Sequence, residues 1–248
     1  MSLMWPKARI AVLPDRVAVA DGRAYAEATG ATLDPDGLTR ALAEALAATR
    51  CKGRVEVVLS HALAPVWLLT MPALRLDWVE TLGWAREQLT GQLGERIGRC
   101  RLAFQPVPPG EPLLVSALDA EWLIAMTATL ASQGVVARSV EPWLTAAVQR
   151  RQGKLRRGAN WLALAEAGRL TLAYFQDGQP RAVRSQQVSG DMVAALADAV
   201  RREALLAGVS ERAPVWLETG VRADWRASGL DVQLLRQGEG AAKALIGD

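Results

Sequence analysis

Residues 160–208 constrain this chain more than any other stretch. Three strand-like segments, 161–165, 169–175 and 180–188, follow one another and run into an amphipathic helix over 191–207. The turns between them carry Ala167-Gly168 and Asp177-Gly178, small and glycine-containing pairs that permit tight hairpins, so the spacing predicts a three-stranded meander. Ser189-Gly190-Asp191 opens the helix, and 214–218 predicts a further strand.

Upstream, the same grammar recurs in looser form. Segments 9–13 and 17–20 flank Pro14-Asp15-Arg16 as a hairpin, and Asp21-Gly22 makes a second turn. Asp34-Pro35-Asp36 places acidic groups beside the unpaired amides of a first helical turn, with Leu38, Leu42 and Leu46 on one face. Apolar strands over 54–59 and 65–71 are joined through Ser60-His61-Ala62. A helix over 77–94 is expected to bury Trp78, Leu82, Ala85 and Leu89. Strands at 101–107 and 113–118, a helix from Asp119 to a stop at Gly134, a strand at 135–140 and a helix after Pro142 complete the first part. The basic, glycine-flanked stretch 149–158 reads as a linker, dividing the chain into 1–153, 154–237 and a mobile tail, 238–248.

Several function classes are disfavoured. The formal charge of +3 on 248 residues is spread without a run of five like charges, which argues against a dedicated nucleic-acid surface. No apolar run reaches the roughly 18–20 residues that span a bilayer, and the N-terminus lacks the order of a secretory signal, so a cytoplasmic chain is expected. Of the 29 basic residues 25 are arginine, a bias that with abundant Ala and Leu fits a GC-rich bacterial genome. Cys51 and Cys100 are isolated and read as reduced structural thiols. His61, the one histidine, rules out a His-based metal cluster within the chain. Ser60 beside it lacks a nucleophile-elbow context, and Glu56, Asp119 and Glu166 are single acids, too dispersed for a two-metal nuclease. Among nine tryptophans, Trp78, Trp122, Trp143, Trp67, Trp161 and Trp216 fall on helices or strands and are expected in cores, whereas Trp84 and Trp225 fit no stripe and are expected at a contact surface.

Two mixed sheets in series, each with hairpins, a long helix and a closing strand, resemble the duplicated actin-like (ribonuclease-H-like) α/β fold of two halves. Within it the pattern is similar to the PilM/MshI-like and GspL-like proteins of type IV pilus biogenesis and type II secretion. Residues 55–72, Val140-Glu141-Pro142-Trp143-Leu144 and 180–206 carry the resemblance. Nucleotide-binding members place Asp-x-Gly on the first hairpin of each half. Here the first turn offers Pro14, which lacks a donor, with Asp15 and then Arg16 where glycine should be. The second offers Glu166 and Gly168 at changed spacing, and the adenosine-side Gly-Gly becomes Thr219-Gly220.

The resemblance therefore implies a degenerate cleft at Asp15, Glu166, Gly168, Gly190 and Gly220, with no cofactor and no catalysis. It implies a scaffold whose interdomain groove holds the cytoplasmic tail of a bitopic inner-membrane protein. Arg150, Arg151, Arg156 and Arg157, together with Trp84 and Trp225, are the expected partner-facing residues, the arginines toward acidic groups on that tail or on the leaflet. An active ATPase or sugar-kinase-like phosphotransferase is the alternative, and a ribonuclease-H-type nucleic-acid enzyme a third.

Overall fold

The computed structural model describes residues 8–22, 24–209, 212–237, 242 and 245. A meander of β1 (Ala8–Leu13), β2 (Arg16–Ala20) and β3 (Tyr25–Thr29) leads through α1 (Pro35–Thr49) to β4 (Gly53–Leu59). A separate unit follows: β5 (Val66–Thr70), α2 (Trp78–Leu93), β6 (Cys100–Phe104) and β7 (Pro112–Asp119). Then α3 (Ala120–Ser132), β8 (Val135–Pro142) and α4 (Trp143–Leu155) close the first half. The second half is β9 (Ala159–Glu166), β10 (Arg169–Gln176), β11 (Gln179–Gln187), α5 (Met192–Ala207), β12 (Val215–Thr219) and β13 (Val232–Gln237).

The two large sheets, β3-β2-β1-β4-β8 and β11-β10-β9-β12-β13, share one order. In each, the first three strands pair antiparallel and the remaining two add in parallel. A parallel return needs a crossover, and α1 and α5 supply it in equivalent places. Although the order strand, strand, helix, strand around 77–94 predicts that helix as the counterpart of α5, the counterpart is α1. That helix, α2, instead covers a third, antiparallel sheet, β5-β7-β6, around a small core of Met71, Ala85, Leu89, Ile97, Leu113 and Val115. The local order of the inserted unit mimics that of a half, which is why the sequence alone merges the two.

Local chemistry explains most element boundaries. Asp34 caps α1 by accepting from the Gly37 N–H at 3.0 Å, and Pro35 occupies the first turn. Gly37 is required there because a Cβ would lie 2.3 Å from the Ala31 carbonyl oxygen. Leu38, Leu42 and Leu46 then pack on Ile10, Val12 and Val57. Asp34→Ala is expected to cost about 1 kcal/mol, read as a drop of about 2–4 °C in a thermal melt. An unchanged melting temperature would show that the cap is dispensable.

Asp77 and Glu80 form a reciprocal capping box at the start of α2. With that phase the buried face is Thr81, Ala85 and Leu89, and Trp78, expected in the core, is 53% exposed and stacked on Phe104 with ring centroids 4.4 Å apart. Trp122, Trp143 and Trp161 are buried as expected. Strands β3 and β13, both at sheet edges, escape the sequence reading; of β3 only Ala28 is buried.

The expected linker at 149–158 is also corrected. Helix α4 continues to Leu155, and its Trp143, Leu144, Ala147 and Leu155 sit in a cluster shared by Ala11 and Val58 of the first sheet and Leu162, Leu164 and Phe175 of the second. A helix that is packed on both sheets ties the halves together. The expected mobile tail lies mostly outside the described residues. Its two described members, Ala242 and Leu245, are helical and buried in the same cluster, so at these points the chain is anchored by apolar burial.

Candidate functional site

The acidic groups of the two turns that correspond to phosphate hairpins are both engaged by other residues of the chain. In the first, Asp15 pairs with the Arg16 guanidinium at 2.7 Å, which holds its carboxyl below the usual range. The Pro14 carbonyl accepts from the Thr32 N–H at 3.1 Å and the Asp15 carbonyl from the Gly30 N–H at 2.9 Å. The Thr32 hydroxyl donates to the Leu13 carbonyl.

In the second, Glu166 at the end of β9 is buried, and its carboxylate crosses to the first half. It accepts from the Ser60 hydroxyl and from the His61 backbone N–H at 3.0 Å. Burial pushes the Glu166 carboxyl up, against the pull of these two hydrogen bonds and of the Arg169 charge. Ser60 is therefore a turn residue with its hydroxyl engaged, and its partner is a carboxylate 106 residues away rather than the adjacent imidazole. Gly168 adopts φ 73° and its carbonyl accepts from the Val188 N–H at 2.9 Å. Gly190 precedes Asp191, which caps α5 through the Val193 N–H at 2.8 Å. At Gly220 the turn closes on itself, with the Thr219 hydroxyl accepting from the Val221 N–H at 2.9 Å and donating to the Ala165 carbonyl at 3.2 Å.

Beside the Ser60–Glu166 contact lies a cavity of about 500 Å³ between the first half and the inserted unit. Leu33, Leu63, Trp67 and Leu93 give it apolar walls. Its polar lining is His61, Arg96, Arg99, Asp119, Glu121 and, from the second half, Arg169. His61 is only 3% exposed, and desolvation together with the Arg169 charge lowers its imidazole to a pKa of about 4. It is neutral at pH 7. Cys100 also borders the cavity as a free thiol, pushed up by burial, and Cys51 is buried and free.

The expected partner-facing residues are dispersed. Arg150 and Arg151 turn inward onto Glu218 of β12, at 2.7 and 3.3 Å, and the Trp143 indole N–H reaches the same carboxylate at 3.1 Å. Glu218 is completely buried. The two arginines are thus an internal counter-charge, not an exposed basic patch, because an unpaired carboxylate in that position would be too costly. Arg156 and Arg157 are exposed. Trp84 is half-buried on the core of the inserted unit, and Trp225 is buried in the core of the second half, so neither forms an open aromatic surface there. Sequence reasoning missed Glu218 as a structural acid; the available signal was a carboxylate at the end of the otherwise apolar strand 214–218. Among the described residues, no group of three or more His, Cys, Asp or Glu could hold a metal ion, and no helix is long and apolar enough to cross a membrane.

No protein-family model matches the chain, and no curated protein matches it by sequence. Solved structures do match by fold. A chain of a PilM–PilN type IV pilus biogenesis complex superposes with a TM-score of 0.67 at 15% identity, over 92% of this chain and 87% of that one. A Bacteroides thetaiotaomicron protein of actin-like ATPase fold and unknown function gives 0.60 at 12% identity, over 90% and 85%. The cytoplasmic domain of EpsL, an inner-membrane component of the Vibrio cholerae type II secretion system, gives 0.52 at 13% identity, over 93% and 86%. The chain has the duplicated actin-like fold that these proteins share.

Proposed function

We propose that this chain is a non-enzymatic scaffold of a type IV pilus or type II secretion assembly machine. It works in the cytoplasm and holds the cytoplasmic segment of a bitopic membrane protein in the cavity between its first half and its inserted unit. One observation carries the reading: Glu166, at the hairpin where a nucleotide-binding relative needs a free carboxylate, is spent on Ser60 and His61. The first hairpin supports it, since Asp15 is tied to Arg16 and Pro14 offers no amide. The neighbouring cavity, with apolar walls and a few polar groups, has the character of a peptide groove. The PilM and EpsL likenesses favour an assembly role over the other functions this fold supports.

Mg-ATP distinguishes this reading from the kinase or ATPase alternative. A ligand at 100 times its Kd adds about 2.7 kcal/mol of stability, well within reach of a thermal melt. No shift is expected. A clear rise that disappears in Glu166→Ala or Gly220→Val would overturn the scaffold assignment and establish nucleotide binding.

A further inference from the structure

His61 holds an unexplained polar atom at the cavity. Its Nδ1 is sealed from solvent and has no hydrogen-bond partner. The other ring nitrogen also has no protein partner among the described residues, yet it is not sealed, so it is the nitrogen open to the cavity. A buried N–H without an acceptor is rarer than a bare lone pair. The proton therefore belongs on Nε2, and the ring presents an N–H donor to whatever fills the space.

The charges around it are one-sided. Among the described residues no carboxylate pairs with Arg96, Arg99 or Arg169, and Arg169 makes one hydrogen bond, from Nη1 to the Ser185 hydroxyl at 3.3 Å. Of the two acids lining the cavity, Asp119 is occupied in capping α3, where its Oδ1 accepts from the Glu121 and Trp122 N–H groups at 2.9 and 3.2 Å. Glu121 is exposed at the first turn of that helix, beside unpaired amides that favour its charge. Glu166, also close, is already satisfied by Ser60 and His61. The cavity thus offers one neutral N–H donor and three guanidinium groups without a carboxylate ion-pair partner, against two acids that already have favourable settings.

We propose that the segment held in this groove carries a carboxylate, seated between the His61 Nε2–H and Arg169, with Arg96 and Arg99 flanking the approach. This rests on the groove being a peptide site, as argued above. Charge-assisted hydrogen bonds to a desolvated carboxylate are roughly twice as strong as neutral ones, so an acidic side chain would fix the register of a segment that apolar walls alone would let slide. Seating an anion beside the ring also reverses the local electrostatics and raises the His61 pKa from its depressed value.

His61 is the chain's one histidine, so histidine-labelled protein gives a single imidazole signal set in NMR. The probes are two amidated tetrapeptides, Leu-Glu-Leu-Glu and Leu-Gln-Leu-Gln, with inorganic phosphate as a third. The glutamate peptide is expected to shift the His61 signals and raise its pKa, and the glutamine peptide to bind at least tenfold more weakly. Arg169→Gln should abolish that preference, and Arg99→Gln should reduce it. Equal affinity for the two peptides overturns the carboxylate seat while leaving the peptide groove intact. Failure of both peptides to bind overturns the groove as well. A response to phosphate at lower concentration than to the glutamate peptide also overturns the proposal, since the anion would then be a phosphate.

Discussion

Glu218→Ala is expected to lower the melting temperature by about 6–12 °C, from a loss of about 3 kcal/mol. The carboxylate is fully buried and receives the Arg150 and Arg151 guanidinium groups at 2.7 and 3.3 Å and the Trp143 indole N–H at 3.1 Å. Removing one partner of a buried ion pair costs about 3–5 kcal/mol, because the opposite charge stays behind without compensation. Here the lower end applies, since the arginine side chains retain 20% and 25% exposure and can rehydrate in part. Trp143 cannot, being completely buried. Glu218→Gln keeps an acceptor for the indole and should fall between alanine and the parent chain. Because α4 spans the cluster between the sheets, the loss should appear as one cooperative transition moved down, not as selective melting of the second half. A change of less than 1 kcal/mol for alanine would mean that these arginines do not depend on Glu218.

The second large effect is a pH dependence. In the folded chain His61 titrates at about 4, against 6.5 for the free side chain, so below pH 6.5 the unfolded chain takes up a proton that the folded chain refuses. Stability therefore falls as the pH drops from 6.5 towards 4, by about 3 kcal/mol in all, and is fully recovered above the unfolded value. Glu166 acts in the opposite sense. Its raised folded pKa means that its contribution is complete below the ordinary carboxylate pKa of 4.5 and is lost as the pH rises through the folded value. Comparing urea unfolding of the parent chain and His61→Gln across pH 4–7 isolates the histidine contribution, because packing changes shift the whole profile whereas the proton linkage changes its slope. Parallel profiles would show that His61 is solvated. Salt should not remove the effect, since its main cause is burial and screening acts weakly there.

Two sets of contacts bridge the halves. In this chain a carboxylate of the second half, Glu166, reaches the turn after β4 directly, and the α4–Glu218 network adds another tie.

The signals legible in the sequence were local. Ala167-Gly168 and Asp177-Gly178 set the β9-β10-β11 meander, Asp34, Asp119 and Asp191 set the starts of α1, α3 and α5, and the repeated order of elements pointed to a duplicated fold. Such signals act within one or two turns of chain, through caps, φ preferences and the period of apolar residues. Tertiary structure decided the rest. It separated β5, β6 and β7 into their own sheet, turned Trp78 outward and Trp225 inward, and converted an apparent linker into a packed helix. It also brought Arg150 to Glu218 across 68 residues and Ser60 to Glu166 across 106. A basic stretch between glycines reads the same in sequence whether it faces water or a buried acid. The difference is the cost of leaving that acid unpaired, and this cost exists only once the two halves have packed and excluded water.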